Sequence, residues 1–181
     1  MDKINFLSYD GRDILQRLSY MIRYNNAIHI HNENVAEHSF YVALFSLEIC
    51  NYLGIDHRDA VKLALIHDVS ESITSDIPHD VKCTMFNLEK LCEQFEEGFN
   101  KVQFGIDTES KKYKADKAIV DLADVLSVMQ YSQKEIEFGN VIKFGPIYEN
   151  VLHRIDKCAD ELKKYFNPHS VDKLISVIKG E

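Results

Sequence analysis

Apolar residues recur at helical spacing along most of the 181-residue chain, and the breaks fall at glycine, proline and asparagine. Asn34 followed by Glu37 reads as an N-cap with its capping-box partner, opening a helix that runs to Leu53. This segment is apolar on nearly every side from Phe40 onward, which predicts a central helix closed by Gly54 as a C′ residue. Asp56 starts the next helix, with Val61, Ala64, Leu65 and Asp68 at i, i+3, i+4 and i+7. The turn Thr74-Ser75-Asp76-Ile77-Pro78 ends it near Ser72. A helix is predicted over about 80–104, with Met85, Leu88, Leu91, Cys92 and Phe95 on one stripe, and a loop over 105–110. Another runs over about 112–138, striped by Ile119, Leu122, Ala123, Leu126 and Met129, and ends at Gly139. Gly145-Pro146 is expected to open a helix with Pro in its first turn, striped by Ile147, Val151, Ile155, Cys158, Leu162 and Tyr165. Asn167-Pro168 breaks it before a short terminal helix, and the aromatic-rich start, Phe6 to Tyr24, reads as core. With no repeat, linker or low-complexity stretch, the chain reads as one all-α domain over 1–181, a compact helical bundle.

Composition agrees with that class. The chain is 45 % apolar and 28 % charged, as globular domains are, and a domain of this size buries roughly 70 % of its unfolded surface. Seven Gly and three Pro are few for a β-rich fold. A formal charge of −8 argues against long nucleic acid as a partner, although small phosphates remain possible through a bound cation or a few placed Arg and Lys. No membrane span, signal pattern or C-x-x-C spacing is present, so a cytoplasmic protein with Cys50, Cys83, Cys92 and Cys158 as free thiols is expected.

Two acids stand where apolar residues belong. Asp68 continues the Val61/Ala64/Leu65 stripe, and Asp124 has Val120 four residues before it and Val128 four after. A lone buried carboxylate is costly, so it is paired, protonated or bound to metal. His67 adjoins Asp68, and His38 lies in the apolar helix beside Tyr41, Val42 and Phe45. Two imidazoles and two carboxylates from three helices suit one divalent ion such as Mn²⁺, Co²⁺, Fe²⁺, Ni²⁺ or Zn²⁺, with Mg²⁺ kept among the candidates. A core histidine with a helix–helix salt bridge is the competing reading. Glu71, at i+4 from His67 and i+3 from Asp68, shares their face, where a carboxylate can handle a metal-bound water. Asp76 follows in the turn, then Lys82.

The order His38 … His67-Asp68 … Asp124 resembles the signature of the HD superfamily of metal-dependent phosphohydrolases. The resemblance is closer to its bacterial 5′-deoxynucleotidases of the YfbR type. Arg23-Tyr24 … Glu33-Asn34-Val35-Ala36-Glu37-His38-Ser39 is similar to that branch's R-W … E-N-V-[SA]-E-H-S, and 67–78 is similar to its H-D-x-S-E-x-x-T-G-D-[LI]-P. The motifs span about 15–135, and helices over about 146–179 are expected to pack on that part. The resemblance implies that His38, His67, Asp68 and Asp124 hold the ion, that Glu71 and Asp76 manage water and protons, and that Arg23, Tyr24 and Lys82 contact the substrate. It also implies a homodimer acting on (deoxy)nucleoside monophosphates.

Three positions depart from the family. Tyr24 replaces a Trp that packs by the sugar and favours the 2′-deoxy form. Asp121 replaces a common Lys, for which Lys117 could compensate, although a solvated face shared with Lys111, Lys112 and Lys114 is the expectation. Ser75 replaces Gly, a mild change unless the position has positive φ. His29 and His31 read as solvated loop residues, His153 and His169 as surface, and His79 as a possible border of the pocket. Two alternatives stand beside the monophosphatase: a compact HD dNTP phosphohydrolase, and a non-catalytic nucleotide-binding sensor with a structural metal. Ser72, where guanosine-tetraphosphate hydrolases carry a second acid, counts against that branch, and the lack of further histidines counts against a di-iron centre.

Overall fold

The computed structural model describes residues 2–180, apart from the side chains of His79 and Asp80, so the expectation for His79 lies outside the described side chains. Its helices are α1 (Tyr9–Gln16), α2 (Val35–Leu53), α3 (Arg58–Ile66), α4 (Glu71–Thr74), α5 (His79–Thr84), α6 (Leu88–Phe104), α7 (Lys114–Glu137), α8 (Val141–Leu162) and α9 (Pro168–Lys179), with a 3₁₀ turn at Arg17–Ser19. Among the described residues the only β pairing is a bridge between Ile22 and Asn34. The centre is α7, which packs against α8, α2 and α3, while α2 also packs on α3 and α9. Ile119, Leu122, Ala123 and Leu126 of α7, Val42 and Ile49 of α2, and Val151, Ile155 and Leu162 of α8 are buried there. Each large aliphatic side chain in that core contributes on the order of 1.5–3 kcal/mol.

The helix signals at both ends of α2 work as expected. Asn34 Oδ1 accepts the Glu37 N–H at 2.9 Å, and Gly54, at φ 68°, turns the chain so that Ile55 N–H reaches Cys50 O. Asn167 caps α9 by accepting from His169 and Ser170.

Several boundaries differ from the sequence pattern. The helix predicted to run to Ser72 stops at Ile66. From there Val69→Ile66, Glu71→Asp68 and Ser72→Val69 form i→i−3 bonds, so the chain tightens into 3₁₀-like turns before α4. Leu65, still inside α3, is exposed, and Asp68 reaches the site by the tightened turn rather than along an α-helical stripe. The helix expected over 80–104 is broken at Met85–Asn87, where Asn87 takes φ 60°, and Met85 and Leu91 of the proposed stripe are exposed. α8 begins five residues before Pro146. The carbonyl that Pro146 leaves unpaired belongs to Ile142, which is on the surface and can be hydrated. Tyr165 lies past the end of α8 and is exposed.

The aromatic-rich start is core only in part. Leu18 is buried and Phe6 stacks on Phe104 at 5.7 Å, but Tyr9 and Tyr20 are exposed. Gly11 lets the N-terminal strand of chain cross α1, because a Cβ there would stand 2.0 Å from Asn5 O.

Candidate active site

Residues 21–23 and 33–35 are clamped side by side. Arg23 N–H donates to Glu33 O at 2.9 Å and Val35 N–H to Met21 O at 3.0 Å, which closes residues 24–32 into a loop at the start of α2. The clamp sets Arg23 beside Glu33, with Nε 3.6 Å from Oε2, and points Nη1 toward Asp68 Oδ2 at 3.9 Å. Far from this clamp, the buried Glu135 carboxylate of α7 holds the loop, accepting the N–H groups of Ile30 and His31 and the Asn140 amide. Tyr131 donates its hydroxyl to His31 O and stacks on Tyr24 with ring centroids 4.9 Å apart. His29 braces the loop between Ala27 O and Asn32 Oδ1, so it is not merely solvated, whereas His153 and His169 are on the surface as expected.

Of the four groups read from the sequence as metal donors, His38, His67 and Asp68 converge, and Asp124 joins them through His38. His67 Nε2 is 3.2 Å from Asp68 Oδ2 and 3.4 Å from His38 Nε2, and His38 Nε2 is 3.2 Å from Asp124 Oδ1. His38, His67 and Asp68 each offer a donor atom within 4.8 Å of the others. Hydrogen bonding aims both rings: His67 Nδ1 donates to Ala64 O at 2.6 Å, which turns Nε2 toward the cluster, and His38 Nδ1 meets the Ser127 hydroxyl at 3.0 Å. Two imidazole nitrogens and two carboxylates pressed together attract positive charge. Burial disfavours a charged His67, yet Asp68 overrides it and pushes the pKa up to about 10. His38 goes the other way, down to about 4, through burial and the nearby Arg23. Asp68 and Asp124 are held far below the usual carboxylate range, His67 and His38 respectively outweighing the cost of burial. This nitrogen–oxygen donor set fits a borderline divalent cation, which would take the place of the His67 proton.

Around this cluster lies a cavity of about 860 Å³, and Arg23, Tyr24, His67, Asp68, Glu71, Asp76, Lys82 and Asp124 all line it, with His38 buried behind. The i→i−3 turn from Asp68 to Glu71 nearly eclipses these two carboxylates. Burial, then Asp68 and Asp76, push the Glu71 carboxyl up to about 9, and Lys82 Nζ stands 4.0 Å from Glu71 Oε1. Asp76 is raised as well, chiefly by burial, and its carbonyl accepts from the Asn25 amide across the loop. Tyr24 adopts φ 57°, and its buried hydroxyl, like Arg23 Nη1 and Glu33 Oε2, has no hydrogen-bond partner among the described residues.

Ser75 corrects one expectation. Its φ of 66° with ψ of 162° lies in a region that suits glycine, so the exchange of Gly for Ser is not mild. The backbone strain, about 1–3 kcal/mol, exceeds the roughly 0.4–1 kcal/mol of chain entropy that glycine would restore to the unfolded state. Ser75→Gly is therefore expected to stabilise the protein by about 1 kcal/mol and raise its melting temperature by about 2–4 °C. Thermal melts of the two proteins check this, and an unchanged or lower midpoint would refute it.

One cation here overturns its expectation of a solvated face, and another carried no expectation. Lys117 turns away from the exposed Lys111, Lys112 and Lys114 and lines the cavity, paired with Glu109. Arg154 of α8 brings Nη2 to 3.3 Å from Asp124 Oδ2. It sits at i+3 from Val151 and i+7 from Ile147, a cation on an apolar stripe, and that was its available signal.

The family model described as 5′-deoxynucleotidase YfbR-like matches residues 12–174. A 5′-deoxynucleotidase of Shewanella oneidensis is 27 % identical over 172 residues, covering 84 % of this chain and 87 % of the relative. An HD-domain phosphohydrolase of Listeria innocua superposes with a TM-score of 0.71 at 19 % identity, covering 96 % of this chain and 90 % of the other. The cyanophage S-2L HD phosphohydrolase DatZ, bound to dA and one catalytic Zn²⁺ ion, gives a TM-score of 0.62 at 19 % identity, covering 89 % and 96 %. At these identities the structural likeness bears on the fold.

Proposed function

Because the chain belongs to the YfbR-like 5′-deoxynucleotidase family, whose members are HD-type hydrolases, we propose that it removes the 5′-phosphate from (deoxy)nucleoside monophosphates. The observation that carries this reading is the packing of His67, Asp68 and Asp124 around the buried His38 at the edge of a cavity that also holds Arg23 and Glu71.

In this reading those four residues hold one divalent ion, which when bound polarises a phosphoryl oxygen and lowers the pKa of a water. Arg23 grips the phosphate, using the Nη1 donor that has no hydrogen-bond partner among the described residues. Glu71 orients the attacking water and, in the ionised form that a cation beside it favours, takes its proton as the new P–O bond forms and the ester bond breaks. Asp76 protonates the departing sugar oxygen, and Lys82 keeps positive charge beside Glu71. Tyr24, fixed between Tyr131 and Phe144, packs by the sugar. The homodimer is carried on the family resemblance and the cytoplasmic address on the free thiols; no described helix is long and apolar enough to cross a membrane.

A triphosphate substrate is the second reading, favoured by the 860 Å³ cavity and by Lys143 on its α8 wall. The test is phosphate release from mono- and triphosphates, ribo and deoxy, after metal stripping and add-back of Mn²⁺, Co²⁺ or Mg²⁺. Metal-dependent orthophosphate from deoxynucleoside monophosphates is expected. Turnover of triphosphates alone would move the assignment to the second reading, and metal binding without any turnover would leave a nucleotide sensor.

A further inference from the structure

The roles assigned above to the monophosphatase leave one wall of the cavity unused. Lys143, Asn150 and Arg154 line it from α8 at i, i+7 and i+11, so they share a face of that helix. Arg154 reaches furthest inward, to the carboxylate of Asp124. The two oxygens of that carboxylate are divided, Oδ1 facing His38 Nε2 at 3.2 Å and Oδ2 facing Arg154 Nη2 at 3.3 Å. This contact occupies one of the five N–H donors of the guanidinium, and the side chain, 39 % exposed, lines the cavity.

Charge on this side makes such a cation necessary. Asp121 lies three residues before Asp124 and lines the cavity too, so an anion arriving along α7 meets two carboxylates. Lys117 also lines the cavity, but its ammonium pairs with Glu109. Across the cluster Arg23 stands in the corresponding place, with Nη1 3.9 Å from Asp68 Oδ2. Each inner carboxylate thus has its own guanidinium, one from the loop before α2 and one from α8. We infer that Arg154 is a second phosphate-binding residue, gripping the substrate phosphate from the side opposite Arg23 while it holds Asp124. A planar fork can bridge a carboxylate and a phosphate at once, which an ammonium does less well. This inference rests on the phosphohydrolase reading and extends the site beyond the motif-bearing part of the chain.

The test is calorimetric titration of inorganic phosphate into the full chain loaded with Mn²⁺, with Mn²⁺ affinity measured separately on the same proteins. Arg154→Ala is expected to weaken phosphate binding about 10- to 100-fold, the size of a lost charge-assisted contact, with Mn²⁺ affinity within about threefold. Arg154→Lys, which keeps the charge and loses the fork, is expected between wild type and Arg154→Ala. Unchanged phosphate affinity in Arg154→Ala would overturn the inference. So would equal losses of phosphate and Mn²⁺ affinity, which would make Arg154 only a support for Asp124. Should the wild type bind Mn²⁺ and phosphate yet hydrolyse no nucleotide, the phosphohydrolase reading fails while the Arg154 result is still decided by binding.

Discussion

Asp68→Ala is expected to abolish metal uptake and turnover together while the helices survive. One oxygen of Asp68 stands 3.2 Å from His67, 3.6 Å from His38 and 3.9 Å from Arg23, so a single deletion removes the contact these three groups share. Without it His67 loses the main influence that raises its pKa, and the site loses one of two negative charges opposite the cation. Lewis-acid stabilisation is worth several kcal/mol, so the loss in kcat/KM is expected to be about 10³-fold or more. The core beneath is apolar, and the far-UV circular dichroism should keep its helical form. Bound Mn²⁺ and phosphate release, measured on one preparation, decide the matter; activity within tenfold of wild type would remove Asp68 from the centre.

Glu71→Gln is expected to separate metal from chemistry. The Glu71 carboxyl already sits at a pKa of about 9, pushed there by burial and by the carboxylates of Asp68 and Asp76. Glutamine keeps the shape of the side chain but has no ionised form to accept a proton, the form that a bound cation favours in the carboxyl by drawing its pKa down. Metal content should therefore stay near wild type while turnover falls about 10²- to 10⁴-fold, the usual contribution of a placed general base. A parallel fall of metal content and turnover would instead make Glu71 a ligand.

What the sequence made legible here was mostly the groups that break a pattern. His38, Asp68 and Asp124 interrupt apolar helical stretches, and an ionisable group among buried neighbours has few explanations. Asn34, Gly54 and Asn167 were legible because capping chemistry is local. The 3₁₀-like turns over 67–72 were not, since nothing in the local spacing distinguishes i→i−3 from i→i−4 bonding. Arg154 and Lys117 looked like ordinary surface cations, because their partners, Asp124 and Glu109, lie on other elements or across a loop. Glu33 was read as part of a motif without a role, although the clamp at 21–23 and 33–35 seats it against Arg23. Burial and the nearby Arg23 act against each other on that carboxyl, and burial prevails, lifting it to about 7.

One stripe of α7 ties these parts together. Asp124 faces the cluster, Ser127 holds the His38 ring, Tyr131 stacks on Tyr24, and Glu135 anchors the loop behind Arg23, at spacings of three, four and four residues. A single residue inserted between Asp124 and Glu135 would turn everything beyond it by about 100°, sliding the anchor off the loop while the cluster stayed where it was. The length of this span of α7 is therefore fixed by the loop and the cluster it joins, and acts as the ruler between them.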